Sequence, residues 1–163
     1  MRNPKNDFDP FIRVHQGAIR SFLRRLCGSE ALADDLAQDC FVKAYQKWSA
    51  VRSKQTARTW LYGIAYRCFI DHYRKDKRRG GLLDSLPTQS SPPHPDYTRL
   101  DLEAAMNSLS PDCRACIILC LAHGYTIAEA AKITNMPQGT IKSHLSRGKK
   151  HLQTFLSAYE VAK

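Results

Sequence analysis

Apolar side chains recur with the period of an α-helix from the start of the chain. Phe8, Phe11, Ile12, Ile19, Phe22, Leu23 and Leu26 share one stripe, with Arg20, Arg24 and Arg25 off it, which predicts a first helix from about Phe8 to Cys27. Gly28 supplies a stop and Ser29 an N-cap for the next element. Leu36, Ala37, Cys40, Phe41, Ala44 and Trp48 then lie on one face of a second helix, whose opposite face carries Asp35, Gln38, Asp39 and Val42. Residues 49–58 are polar and basic without period, so the pattern predicts a loop followed by a third helix from near Thr59 to about Arg79. That helix carries two apolar stripes, Leu61, Ile64, Ala65 and Cys68 on one side and Tyr62, Tyr66, Phe69 and Tyr73 on another. One stripe is enough for a core, and the pattern leaves open which of them is inside.

Residues 80–98 contain Gly80-Gly81, Ser90-Ser91 and the prolines Pro87, Pro92, Pro93 and Pro95, a composition that predicts a linker. Fully extended it would reach roughly 60 Å at ~3.3 Å per residue, close to two turns of B-DNA. Helical spacing resumes with Leu100, Leu102, Ala105, Met106 and Leu109. Ser110-Pro111 then places serine at an N-cap and proline at the first helical position of a helix ending at about Gly124. Thr126-Ile127-Ala128-Glu129 has the capping-box pattern and opens a short helix to about Thr134. Asn135-Met136-Pro137 breaks it, and a last helix runs to roughly Ala158. No segment has strand character and no solenoid-length repeat is present. The expected fold is all-α, with two small helical domains at 1–79 and 99–163 joined by a flexible linker at 80–98.

Charge adds a partner class. Lys and Arg outnumber Asp and Glu by 25 to 15 over 163 residues, a net +10 that suggests a polyanion such as nucleic acid, with anionic membrane surfaces as the competing explanation. No stretch approaches the ~20 apolar residues of a membrane span, and the first residues lack the apolar run of a signal peptide, so a cytoplasmic protein is expected. The six cysteines sit inside helix-like segments rather than at loop spacings, which predicts reduced thiols.

The order helix, short helix, tight turn, basic helix over 126–156 has the form of a helix-turn-helix. Ile141, Leu145 and Leu152 would face the core. Gln138, Thr140, Lys142, Ser143, Ser146, Arg147, Lys149 and Lys150 would face outward, able to hold phosphates and, through Arg147 or Lys142, guanine edges. A solvated basic helix end would carry similar residues. The basic segment with Arg52, Lys54 and Arg58, followed by Trp60, Tyr62, Tyr66, Arg67 and Arg74, offers cations for a backbone and π-faces for unpaired bases, at ~1–3 kcal/mol per stacked base. Packing of the tyrosines against the first two helices is the alternative. The Asp35, Gln38, Asp39, Val42 face repels DNA and suits a basic protein helix, although ordinary solvated acids would look the same.

Catalytic readings fare poorly. Cys113, Cys116, Cys120 and His123 share a helix side but span ~15 Å at 1.5 Å per residue, too far to close one tetrahedral zinc site. Asp71-His72 are sequence neighbours that diverge by about 100° on a helix. No phosphate loop or nucleophile motif occurs, so no enzyme activity, metal, cofactor or small-molecule substrate is expected.

Asp34-Asp35-Leu36-Ala37-Gln38-Asp39-Cys40-Phe41, then Thr59-Trp60-Leu61-Tyr62-Gly63-Ile64-Ala65 with Ile70-Asp71-His72, and finally Gly139-Thr140-Ile141-Lys142-Ser143-His144-Leu145-Ser146-Arg147 resemble regions 2 and 4 of the extracytoplasmic-function (ECF) sigma factors, a subfamily of the sigma-70 family. The resemblance covers most of the chain. It implies a non-catalytic subunit that binds core RNA polymerase and directs transcription initiation at promoters. The Asp35, Gln38, Asp39 and Val42 face would dock on the polymerase β′ subunit, with the β subunit also in contact. The 49–58 segment and third helix would open and read the −10 element, the last helix would read the −35 element, and an anti-sigma factor, often membrane-bound in the family, would hold the protein inactive. Three positions depart from the family's habit: Gly63 where a basic residue is usual, Arg67 where asparagine is common, and Gly148 where alanine is common. A free-standing helix-turn-helix regulator, dimeric on a palindrome, is the rival within DNA binding. A thiol- or metal-dependent sensor built on Cys113, Cys116, Cys120 and His123 is the rival of another class.

Overall fold

Gly28 stops the first helix by adopting a left-handed backbone, φ 66°, from which its N–H donates to the Arg24 carbonyl. Ser29 is extended and accepts from the Leu32 N–H, which starts the second helix one residue later. These two residues separate α1 (Phe8–Cys27) from α2 (Glu30–Lys47) and turn them into an antiparallel pair. The computed structural model describes residues 4–80 and 97–161, so most of the expected linker lies outside the described residues. The remaining helices are α3 (Lys54–Arg78), α4 (Tyr97–Asn107), α5 (Pro111–Ile117), α6 (Ile127–Thr134) and α7 (Gln138–Val161). Short 3-10 turns lie at Pro4–Asp7 and Trp48–Ala50, and there is no strand among the described residues. The fold is all-α.

Three boundaries differ from the sequence pattern. α3 begins at Lys54, not near Thr59, because an extended Ser53 precedes a first turn in which Ala57 alone is buried and no apolar period can show. α7 continues to Val161, beyond the expected end at about Ala158. The helix opened by Ser110-Pro111 is not uniform: after Ile117 it widens into a π turn over Ile118–Ala122, where the His123 N–H donates to the Ile118 carbonyl at 3.0 Å.

Both stripes of α3 are buried except at Tyr73, which is half-buried, one stripe on each side of a sandwiched helix. The Cys40 thiol contacts the Leu61 carbonyl at 3.8 Å and Lys43 Nζ lies 3.6 Å from Cys68 Sγ, so the aliphatic stripe faces α2. Tyr62, Tyr66 and Phe69 lie on the other side, and α6 packs against it. A single core consequently runs from Ile19, Phe22 and Leu26 in α1 through α3 to Leu119, Ala130, Ile133 and Ile141 in the C-terminal half. Arg114 ties the halves with one charge-assisted hydrogen bond, of order 1.5–3 kcal/mol, and anchors itself within the C-terminal half with three more. Its Nη1 donates to the Leu26 carbonyl at 2.6 Å, Nε to Met106 at 2.9 Å, and Nη2 to Asn107 and Leu109 at 3.0 Å.

Gly148 is where α7 crosses α5. A Cβ built on it would lie 2.9 Å from Cys113 Sγ and 2.9 Å from Ile117 Cγ1, so glycine allows two helices to approach closer than alanine would.

Candidate nucleic-acid interface

The C-terminal interface starts from a capping box. The Thr126 N–H donates to Glu129 Oε2 at 2.8 Å and the Glu129 N–H returns to Thr126 Oγ1 at 3.2 Å. The first of these bonds, with a second from the Thr126 hydroxyl, holds the Glu129 carboxyl below the usual carboxylate range. Asn135 closes α6 in the left-handed region, φ 56°, and Pro137 leads into α7, where its carbonyl accepts from the Ile141 N–H at 3.1 Å. Ile141 and Gly148 are buried, with Leu145 and Leu152 half-buried on the same side. Gln138, Lys142, Ser143, Ser146, Arg147, Lys149 and Lys150 are therefore all exposed, and Thr140 is half-buried beside them. Arg147 Nε donates to the Ser143 carbonyl at 3.3 Å, which lays its guanidinium along the outer face of the helix. The arrangement is a cationic, hydroxyl-bearing ridge on a rigid helix seated by its apolar side.

The second cluster centres on α3. Arg52, Lys54, Arg58, Arg67 and Arg74 are exposed, and Trp60 is half-buried with its ring 6.1 Å from that of Trp48. Asp71, Arg74, Lys75, Lys77 and Arg78 line a shallow basic surface at the end of the helix. Tyr62 and Tyr66, offered to bases by the sequence pattern, are 0% and 5% exposed. The Tyr62 ring packs on Phe22 at 5.1 Å and Tyr125 at 5.1 Å, and its hydroxyl shares a 2.9 Å hydrogen bond with His123 Nδ1. The Tyr66 hydroxyl donates to Asp112 Oδ1. Burial, together with the Asp112 carboxylate, pushes the Tyr66 phenol well above its ordinary value. In this arrangement neither tyrosine is open to a base, because Phe22 of α1 and the C-terminal half together cover the stripe.

Asp112, His123 and Tyr125 are thus site neighbours that the sequence pattern did not bring to α3. Asp112 reads there only as a favourable acid in the first turn of α5, and the π turn that places His123 has no sequence signature. Arg58 stands over the Tyr125 ring at 4.9 Å. A groove of about 890 Å³ runs between α3 and α6, lined among others by Trp60, Gly63, Arg67, Lys132 and Met136.

α2 carries the acidic face. Asp35, Gln38, Asp39 and Val42 are exposed together, Val42 at 58%, so an apolar side chain sits in solvent within an acidic patch. The Cys113, Cys116, Cys120, His123 row is dispersed. Cys113 and Cys116 are in the core, the Cys113 thiol donating to the His144 carbonyl at 3.3 Å, while His123 is engaged with Tyr62. Burial pushes the Cys116 and Cys40 thiols up to about 12 and Cys27 to about 11, values that keep them protonated. No helix among the described residues is long and apolar enough to cross a membrane.

Comparison with known proteins agrees with this geometry. Sigma-70 region 2 matches residues 11–79 and Sigma-70, region 4 matches residues 99–152. The ECF RNA polymerase sigma factor SigE of Mycolicibacterium smegmatis is 30% identical over 93% of this chain, which spans 62% of that relative's length. The ECF RNA polymerase sigma factor EcfG of Rhodopseudomonas palustris is 30% identical over 85% of this chain and 79% of its own. Among solved structures, the sigma factor RpoE from Bartonella quintana, crystallised with the anti-sigma factor NepR, superimposes with a TM-score of 0.79 at 33% identity, covering 93% of this chain and 97% of that one. With a capped helix-turn-helix, a basic α3 and an exposed acidic face on α2, the chain belongs to the ECF sigma factors of the sigma-70 family, non-enzymatic subunits that direct RNA polymerase to promoters.

Proposed function

We propose that this chain works as a three-part adaptor between core polymerase and promoter DNA. Residues 1–79 form the polymerase-docking and −10-reading domain, 80–98 the linker, and 99–163 the −35-reading domain. The observation that carries the proposal is the division of exposed chemistry: a cationic ridge on α7, a cationic α3, and an acidic patch on α2. Gln138, Thr140, Lys142, Ser143, Ser146, Arg147, Lys149 and Lys150 hold the −35 duplex, with phosphate contacts setting register and Arg147 or Lys142 contacting guanine edges. Arg52, Lys54, Arg58, Arg67 and Arg74 neutralise the −10 backbone, and Trp60, Tyr62 and Tyr66 take up unpaired bases once they are uncovered. Asp35, Gln38, Asp39 and Val42 dock on a basic element of the β′ subunit, with β contributing further contacts.

No covalent step is assigned to the protein. Binding energy from phosphates and captured bases offsets the cost of unpairing the start region, and polymerase carries out synthesis. The protein acts in the cytoplasm, and its relative's crystallisation with an anti-sigma factor supports an anti-sigma partner here. A gel-shift titration with promoter duplex, with and without core polymerase, tests the proposal. Tight duplex binding only in the presence of core, by one copy of the chain, is expected. Equally tight binding by a core-free dimer would replace the proposal with a free-standing regulator.

A further inference from the structure

One face of α3 carries an aromatic ring, a gap and a cation in succession: Trp60, Gly63 and Arg67, at i, i+3 and i+7. Trp60 is half-buried and Arg67 is exposed, while Gly63 between them is buried. A Cβ built on Gly63 would lie 3.8 Å from Arg67 Nη2 and 3.5 Å from the Ile133 carbonyl. The Arg67 guanidinium therefore lies back over the glycine, toward Trp60, by about one helical turn. We propose, resting on the assignment of α3 to the −10 element, that Arg67 selects a base there in addition to supplying charge. Guanine is the base it favours, and the missing side chain at Gly63 gives the guanidinium its place.

Three observations set Arg67 apart from the other cations of α3. It lines the groove of about 890 Å³ together with Trp60 and Gly63, a volume within the roughly 300–1,000 Å³ of small-ligand sites. Lys75, Lys77 and Arg78 line only the shallow surface at the end of the helix. Its donors are also uncommitted: among the described residues Arg67 has no ion pair or hydrogen bond, whereas Arg58 stands over the Tyr125 ring. Asp112 and Glu129 line the same groove but accept from Tyr66 and Thr126 instead. Finally, the Trp60 ring on the same face offers a π-surface for an unpaired base. Guanine presents two acceptors, O6 and N7, to a planar guanidinium, where adenine presents one acceptor and a donor and thymine one acceptor and a methyl. Residue 63 sets how much room the fork has. A single carbon fits at ordinary contact distance, but a longer side chain would compete with the guanidinium for the same space.

The test is transcription by core polymerase with the full chain, on a pool built from one promoter fragment that the parent protein uses. The −10 region of the pool is randomised and the transcripts are sequenced. Arg67→Lys, Arg67→Asn and Gly63→Gln are compared with the parent, and circular dichroism reports retained helix. Arg67 is exposed, so its variants keep the test open if Gly63→Gln fails to fold. The parent is expected to enrich guanine about tenfold or more at one −10 position, the discrimination of a good bidentate pair. Arg67→Lys, which keeps the charge and loses the fork, and Arg67→Asn should flatten that position and leave the others as they were. Gly63→Gln should weaken the same position by crowding the guanidinium. A parent with −10 preferences but none for guanine overturns the proposal. So does an Arg67→Lys protein that retains the guanine preference, or an Arg67→Asn protein that loses output equally from every template and has a salt slope lower by about 1, the signature of a phosphate contact. A parent with no base preference anywhere in the −10 region overturns the assignment of α3 to −10 reading, and the role of Arg67 with it.

Discussion

Gly148→Ala is a substitution whose sign the structure decides against expectation from propensity. At an exposed helix interior, replacing glycine by alanine gains about 1 kcal/mol. Here the added methyl would stand 2.9 Å from Cys113 Sγ and Ile117 Cγ1 and 3.0 Å from Ile117 Cδ1, against ordinary carbon contacts of about 3.5–4.0 Å. Cys113 and Ile117 are themselves buried with Leu109 in the cluster between α5 and α7, so neither can swing into solvent. Overpacking of this kind costs about 1–3 kcal/mol, which exceeds the propensity gain at all but its lower limit. The expected outcome is a net loss of about 1 kcal/mol, lowering Tm by roughly 2–4 °C for a chain of this size. Adding Cys113→Ala removes the sulfur contact, so Gly148→Ala should cost less in that background, a coupling of about 0.5 kcal/mol or more. Urea and thermal unfolding of the four proteins measure both effects. A Gly148→Ala protein more stable than the parent, as alanine on an open helix face would be, refutes the close-packing argument.

Three further outcomes follow from other contacts. Thr126→Ala removes the hydroxyl that accepts from the Glu129 N–H and should cost about 1 kcal/mol in denaturant unfolding; an unchanged midpoint would mean the capping box contributes nothing. Asp39→Arg reverses charge on the exposed acidic face and should weaken association with core polymerase at least tenfold, about 1.4 kcal/mol, with Tm nearly unchanged; retained affinity in a competition assay would remove that face from docking. His123 is held below its ordinary 6.5 by burial first, then by Arg25 of α1 and Arg58 of α3. An exposed His123 in the unfolded chain binds a proton more readily, so its contribution to stability is present above about pH 6.5 and is lost as pH falls toward the depressed value. His15 is shifted the same way by burial and Arg58, so the urea midpoint should fall between pH 7.5 and 5 and His123→Gln should reduce the fall; an equal fall in both proteins would clear His123 of the effect.

Much of the architecture is legible in the chain because local chemistry and tertiary packing agree. The stripe from Phe8 to Leu26, Gly28 and Ser29 give the α1–α2 corner to the residue, and Thr126, Glu129 and Asn135 mark α6 at both ends. The outward row on α7 follows from turning Ile141, Leu145 and Leu152 toward the core. What the chain does not show is which of two apolar stripes on α3 faces where, since period alone is blind to a helix buried on both sides. The early start of α3 is hidden because its first turn buries only Ala57. Gly63 and Gly148 stand out as departures from family habit, yet their reasons are distances to Ile133 and to Cys113 and Ile117, which exist only in three dimensions.

The most direct measurement of the central claim is run-off transcription by purified core polymerase with and without this protein, on fragments of its own genome. Discrete transcripts that require both the protein and core, and that weaken when Arg147→Ala removes the guanidinium from the α7 ridge, are the predicted result. Tight DNA binding with no core-dependent transcript from any fragment would contradict the account.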